Sequence, residues 1–304
     1  MKSGIDIAQG VVTQGEDFRQ TKKLTVSIII PHYELHDMIK NFCLLNLYLW
    51  CDSPVVIVDN GSKKPLEVEW ERLKVIRSKA RLSFAKACNL GVDEVIFKTH
   101  TKKFSLSYNT ARDLREQAPD IFIFLNNDIQ VLPGFLEPIV KAFDDPKVVI
   151  CGAKLLGTDG RIQHIGISFG KKRLPYHHRM GEEDNPKENK TVDVLAVTGA
   201  LMAVRTSWFD KVGGFSEDFP GGNYEDVDLC LRAKKEGCKV KVALSSKAIH
   251  LGGASYQLHP EEHTELLVRR NFEILRGKWR QIPNSFFGIT SKSPILPREE
   301  AWKL

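Results

Sequence analysis

Short apolar runs recur through the first half of the chain, each stopped by a polar turn. Val26 to Ile30 is a β-branched run closed by Pro31, which predicts a buried strand leading into a turn. Residues 36–50 suit a helix. Val55 to Val58 repeats the strand pattern and ends at Asp59-Asn60-Gly61-Ser62, where asparagine and glycine signal a sharp turn. Lys74–Arg77 predicts a third strand, followed by a helix containing Phe84 to Val92. Ile121 to Leu125 is a further apolar run, stopped abruptly by Asn126-Asn127-Asp128. Strands alternating with helices predict an α/β protein with a mainly parallel sheet covered on both faces.

Beyond residue 150 the glycine content rises and the periodicity breaks up. The charged stretch 171–191 reads as an exposed, mobile loop. A clear helix returns over 225–236, with Asn223 placed to cap it, Glu225 and Asp226 in its first turn and Gly237 to end it. Residues 1–23 read as a polar leader, residues 97–119 as an insertion carrying Lys102, Lys103, Arg112 and Arg115, and the chain from 261 as a basic amphipathic extension with a proline-containing tail.

Composition narrows the class. With 304 residues, 42% hydrophobic and 27% charged, the chain is long enough for a full globular core. The surplus of 44 basic over 38 acidic residues suits a diphosphate ligand or an anionic surface and is too small to point to nucleic acid. The six cysteines form no Cys-x-x-Cys pair, which favours a reduced, cytoplasmic protein over a zinc or redox centre. No apolar run resembles a signal peptide or a membrane span, so the expectation is a soluble or peripheral protein. The triplet Asn189-Lys190-Thr191 fits a glycosylation acceptor and is discounted, because nothing else suggests secretion.

In such sheets ligands collect beyond the carboxyl ends of the strands, where Asp59 and Asp128 both lie. Asp59 can accept hydrogen bonds from a base or ribose, or brace its own turn. Asp128 can offer a hard cation an oxygen ligand, or end the strand as a turn residue. Glu225 and Asp226 suit a helix start electrostatically. Stability alone leaves unexplained the glycine-rich run from Gly213 to Asn223 before them, which suits close approach to a ligand. His250 follows the run Val240–Ile249 and is either a structural histidine or a metal ligand.

Taken in order, these pieces resemble the family 2 glycosyltransferases of the GT-A fold, especially their rhamnosyltransferase-like branch, over roughly residues 25–255. The resemblance runs through Ser27-Ile28-Ile29-Ile30-Pro31, Val56-Ile57-Val58-Asp59-Asn60-Gly61-Ser62, Phe84-Ala85 with Asn89 and Gly91, and Phe124-Leu125-Asn126-Asn127-Asp128. It continues through Thr198-Gly199-Ala200-Leu201-Met202, Val212-Gly213-Gly214-Phe215, Tyr224-Glu225-Asp226-Val227-Asp228-Leu229-Cys230-Leu231-Arg232 and Ile249-His250. It implies a Rossmann-like nucleotide-binding half over 24–130, a smaller acceptor and catalytic half over 131–260, and an extension over 261–304.

The same resemblance implies an inverting transferase that uses Mn²⁺ or Mg²⁺ and moves a sugar from a UDP- or dTDP-sugar to a hydroxyl of a glycan or lipid-linked glycan. Asp128 then takes the last place of an Asp-x-Asp metal motif whose first place is Asn126, and His250 is a further metal ligand. Asp226, or else Glu225, is the catalytic base. Asp59 contacts the nucleoside, Gly199 and Ala200 border the donor sugar, and Pro31, Tyr33, Asn60, Phe84, Asn89, Asn126 and Asn127 complete the donor site. Departures are Asn126 itself, Ser83 where a glycine is usual before Phe84-Ala85, and the long 97–119 segment.

Three rivals are weaker. A nucleotidyltransferase needs a glycine-rich basic loop where this chain reads His32-Tyr33-Glu34, and a dehydrogenase needs a Gly-x-Gly-x-x-Gly that is missing. A catalytically silent binding protein on the same fold has no need of Asp128, Asp226 and His250 together. The donor sugar stays open among rhamnose, galactose, glucose and N-acetylhexosamine. Arg269, Arg270, Arg276, Lys278 and Arg280 suit either a solvated helix face or a peripheral contact with an anionic membrane.

Overall fold

The computed structural model describes residues 23–101, 118–253 and 265–294, with the side chains of 97–101 set aside. The expected leader and most of the 97–119 segment lie outside the described residues. One ten-stranded mixed sheet dominates. Its strands are β1 (Val26–His32), β2 (Val55–Asn60), β3 (Leu73–Ser78), β4 (Ile121–Leu125), β5 (Ile129–Val131), β6 (Val148–Leu156), β7 (Ile162–His164), β10 (Thr191–Asp193), β11 (Leu201–Arg205) and β12 (Lys239–His250). The spatial order is β10-β12-β6-β11-β4-β1-β2-β3, with β5 on β12 and β7 on β6. A separate hairpin joins β8 (Ile167–Phe169) and β9 (Pro175–His177).

The four strands β4, β1, β2 and β3 are parallel, as the alternating pattern predicts, whereas β11 enters antiparallel between β4 and β6. Strand β1 runs through Pro31 instead of stopping there. The amide of Ile28 donates toward β2, to Pro54, so the nitrogen of Pro31, three residues on, faces the β4 side. Pairing with β4 has ended by Ile29, so the ladder misses no donor there.

Side-chain alternation divides the core between the two faces of the sheet. Ile29, Phe122 and Phe124 join one cluster with the helix Phe84–Thr101 and the helix Glu225–Lys235, while Ile28, Ile30, Ile121, Ile123 and Leu125 join another with the helical segment His36–Trp50. That segment holds a π-helical stretch, Ile39–Leu44.

Three local expectations change. Asn223 does not cap the following helix: Asn223 and Tyr224 both adopt left-handed conformations (φ 78° and 74°), Tyr224 occupies the cap position and no side-chain cap bond forms. The carboxylates of Glu225 and Asp226 meet the first amides instead. Gly237 (φ 74°) does end the helix. The 171–191 stretch is fastened at one end, because the fully buried ammonium of Lys154 on β6 contacts Asp184 (2.6 Å) and Glu188 (3.2 Å), and Lys247 on β12 contacts Asp184 (2.6 Å). The helix Glu265–Trp279 inserts Val268, Phe272, Leu275 and Trp279 into the core on a three-to-four-residue spacing, so the C-terminal extension shares a core cluster with the helix Glu225–Lys235.

Asn271 on that helix is fully buried and donates to the carbonyls of Pro220 (2.9 Å) and Gly222 (2.5 Å), just before Glu225. Asn271→Ala is expected to lower unfolding free energy by about 1–3 kcal/mol, through the loss of both bonds and an unmet carbonyl at Gly222, since Pro220 still accepts the Gly222 amide. Denaturant titration reads this, and an unchanged midpoint would show that the loop is held by other contacts.

Candidate active site

Strand ends bring a carboxylate and an imidazole together. Asp128 follows β4, and His250 ends β12, whose residues 248–250 pair with β5. The chain is tied at the same place by the Leu251 amide donating to the Asp128 carbonyl at 3.1 Å. His250 Nδ1 lies 2.6 Å from Gln163 Oε1, which only accepts, so Nδ1 carries a proton and, in the neutral ring, Nε2 bears a lone pair. That lone pair faces Asp128 Oδ1 at 3.3 Å, and both atoms are buried without a hydrogen bond. Two acceptors so close need a cation or proton between them. An oxygen and an imidazole nitrogen suit a divalent cation, with Gln163 holding the ring from behind. Among the described residues no third His, Cys, Asp or Glu joins them, which leaves further positions to a ligand or water.

Beside this pair is a cavity of about 420 Å³, whose lining includes Phe84, Asn126, Gly199, Ala200, Glu225, Asp226 and His250. Asp226 is half-buried and accepts the amides of Gly199 and Val227, each at 2.7 Å. Glu225 is buried, and its Oε2 has no hydrogen-bond partner. Burial, with the charge of Asp226 second, pushes the Glu225 carboxyl up to about 8, and burial raises Asp226 against the pull of its amide bonds. Both carboxyls are thus raised, and the two amides favour the charged form of Asp226, whereas Glu225 leaves Oε2 without a hydrogen bond. Gly199 cannot gain a side chain without crowding, since a Cβ would sit 3.2 Å from the Phe84 ring and 3.4 Å from Asp226 Cβ. Asn126 is fixed through its backbone, its amide donating to Ala200 at 2.9 Å.

Of the other residues expected at the donor site, Pro31, Tyr33, Asp59 and Asn60 lie at or just beyond the carboxyl ends of β1 and β2. Asp59 is fully buried: Oδ1 accepts the Ser62 amide (3.2 Å), and Oδ2 accepts the Leu66 amide (3.2 Å) and Arg77 (3.1 Å). Its carboxylate shapes the loop and has no exposed oxygen. Asn60 exchanges two bonds with the Leu82 backbone (2.9 and 2.7 Å) and so braces the loop before Phe84. Arg81 stacks on the ring of half-buried Tyr33 at 3.7 Å, and Pro31 lies in register with Val58. Asn89 turns away from the cavity, clasping the Phe215 backbone with its amide (3.0 and 3.1 Å). Asn127 is buried and donates to His32 Nδ1 (3.0 Å), and burial pushes His32 down to about 4.

Three residues near the site went unnoticed in the sequence: Gln163, His164 and His177. No motif marks them; the only signal was that three of the nine histidines, His164, His177 and His178, fall within the irregular 155–222 region.

The raised Glu225 carboxyl sets a stability dependence. Between its ordinary 4.5 and about 8 the folded protein holds a proton that the unfolded chain has released, so its contribution is full below 4.5 and is lost as pH rises through 8. Glu225→Gln is expected to flatten the fall of the melting temperature between about pH 5 and 8. Identical slopes for both proteins would show that Glu225 is ionised throughout.

The sequence profile described as Glycosyl transferase family 2 matches residues 27–213, and one described as the N-terminal domain of galactosyltransferase matches residues 186–251. An uncharacterized protein, y4gI, of Sinorhizobium fredii is 24% identical over 84% of this chain and 27% of its own length. The O-antigen biosynthesis protein RfbC of Myxococcus xanthus is 26% identical over 76% of this chain and 17% of its own length, so the chain corresponds to a fraction of these relatives. Among solved structures, GalNAc-T7 with UDP, GalNAc and Mn²⁺ superposes with a TM-score of 0.56 at 15% identity, over 75% of this chain and 43% of that one. A mannosyltransferase of Pyrobaculum calidifontis with GDP-Man and Mn²⁺ gives 0.52 at 15% identity, over 90% and 67%. At that identity the likeness establishes the fold alone, which is GT-A. With more than half of its residues matched in order, the chain belongs to glycosyl transferase family 2.

Proposed function

We propose that the protein transfers a sugar from a nucleotide diphosphate donor, a UDP- or dTDP-sugar, to a hydroxyl of a glycan or lipid-linked glycan, with inversion at the anomeric carbon. The observation that carries this reading is the carboxylate of Asp226, held charged at a cavity wall by two amides beside the paired lone pairs of Asp128 and His250. The solved relatives bear UDP or GDP-Man together with Mn²⁺, which supports the donor class and a divalent cation.

Asp226 accepts the proton of the acceptor hydroxyl as its oxygen bonds to the anomeric carbon. The bond from that carbon to the diphosphate oxygen breaks, and the electron pair leaves with the nucleotide. The Gly199 and Val227 amides each occupy one oxygen of Asp226, which fixes the direction of its remaining lone pairs. Protonated Glu225 keeps the negative charge on its neighbour. Asp128 and His250 would hold Mn²⁺ or Mg²⁺, which when bound offsets charge on the diphosphate. Asp59 and Asn60 act by bracing the loops around the nucleoside, and Arg81 on Tyr33 offers a flat, cationic platform there.

A peripheral contact with an anionic surface would rest on Lys171, Lys172 and Arg280, which line one surface hollow. Three other basic residues of the C-terminal helix are already paired, Arg269 with Glu265, Arg276 with Glu273 and Lys278 with Asp218. No helix among the described residues is long and apolar enough to cross a membrane. The cytoplasmic setting read from the cysteines belongs to this proposal.

Turnover with a panel of UDP- and dTDP-sugars tests the whole reading, with the anomeric configuration of the product read by NMR. Asp226→Asn should keep nucleotide binding and lose about two to four orders of magnitude in turnover. Normal turnover in that variant removes Asp226 as the base.

Excess chelator should abolish transfer, and Mn²⁺ or Mg²⁺ should restore it. Asp128→Ala and His250→Ala should each weaken Mn²⁺ binding measured by calorimetry. Full activity in excess chelator, or in both variants, defeats the cation assignment.

A further inference from the structure

The hairpin β8–β9 plays no part in the chemistry above, yet it brings an imidazole into the same cavity. His164, at the end of β7, is buried, and its Nε2 accepts the amide of Thr198 at 3.3 Å. A neutral ring that accepts at Nε2 carries its proton on Nδ1. That Nδ1 lies 2.7 Å from Nδ1 of His177, so His164 donates and His177 accepts. His177 must then carry its own proton on Nε2. The backbone of Thr198 thus dictates the tautomer of a side chain two hydrogen bonds away.

Burial and neighbouring imidazoles hold both rings neutral, with His177 pushed down to about 4. The rings meet edge to face, centroids 4.9 Å apart, which fixes their directions. His177 is half-buried and lines the cavity together with Gly199, Asp226 and His250. Among the described residues its Nε2 has no hydrogen bond. A pair serving only to glue the hairpin down would engage both outer nitrogens. Here one end is anchored to a backbone amide, and the other opens into the cavity.

We propose that His177 presents its Nε2–H as a fixed hydrogen-bond donor to a sugar hydroxyl oxygen in this cavity, and that His164 is the positioning residue that sets its tautomer. The inference rests on the sugar-transfer reading. A neutral donor suits an uncharged oxygen, and it avoids placing a second positive charge beside the Asp128 and His250 pair. The hydroxyl belongs either to the donor sugar or to the acceptor sugar, and the two sources separate experimentally.

The tautomers are read without any ligand, from the nitrogen-15 imidazole spectrum of the whole protein at neutral pH. His164 should show its proton on Nδ1 and His177 on Nε2, and His164→Phe should abolish the single tautomer of His177. Calorimetric titrations with UDP and with the best UDP-sugar of the panel are then compared for wild type, His177→Phe and His177→Gln. A donor-sugar contact predicts that His177→Phe weakens the UDP-sugar about three- to tenfold while UDP binds unchanged, and that glutamine, which keeps an N–H near Nε2, restores most of the loss. An acceptor-sugar contact predicts unchanged donor binding and a similar rise in acceptor KM. A His177 proton on Nδ1, or a His177→Phe protein with unaltered donor affinity and acceptor KM, overturns the proposal while leaving transfer intact. A wild-type protein that binds no sugar nucleotide and transfers no sugar defeats the transfer reading and this inference with it.

Discussion

A carboxylate withdrawn from water without compensation is costly, and the site holds three, Glu225 and Asp128 buried and Asp226 half-buried. Each is balanced by a different means. Asp226 receives two amides at 2.7 Å and can remain charged. Glu225, buried and with one oxygen unbonded, balances its charge with a proton. Asp128 faces Nε2 of an imidazole whose other nitrogen is fixed by Gln163, so its balance is a cation or a proton between the two atoms. In the proposed mechanism the assignment of base, proton holder and cation site follows from which compensation each carboxylate receives.

Those compensations depend on backbone that comes close. The two left-handed residues before Glu225 swing the helix start toward the Gly199 amide, and Asn271 on the C-terminal helix holds the preceding loop by its carbonyls. Trp279 of the same helix donates to buried Asp228, in the same first turn as the carboxylate pair, at 2.9 Å. The C-terminal extension therefore supports the catalytic half from behind.

The parallel strands were legible because each is a short β-branched run ended by a polar turn, and Ile121 to Leu125 matches β4 residue for residue. The strands after residue 156 were not, since several are three residues long and held by pairing that a local pattern does not encode. Asp128, Asp226 and His250 could be singled out because they sit at the ends of regular elements, and the structure brings them to one cavity and its edge. Asp59, Asn60 and Asn89 were read as ligand contacts, whereas their polar atoms are engaged by loop backbone and, for Asp59, by Arg77. A residue type that can bind a nucleotide can brace the loop that does so, and composition does not separate the two. Gln163, His164 and His177 were invisible because their roles exist only across strands far apart in the chain.

The two halves of the fold meet at Phe84, and this has a mechanical consequence. Its amide donates to the Gly221 carbonyl at 3.1 Å, its ring packs against Phe215, and the same ring bounds the space beside Gly199. Phe84 directly follows the loop that Asn60 fixes through Leu82, so it is joined on one side to the nucleotide end and on the other to the glycine loop that leads to Asp226. Phe84 therefore links the 78–83 loop to Gly199, whose amide Asp226 accepts, and to Gly221 in the loop before Glu225. Packing this close transmits displacement instead of absorbing it. The geometry of Asp226 thus belongs to both halves of the protein, although its sequence motif lies in only one.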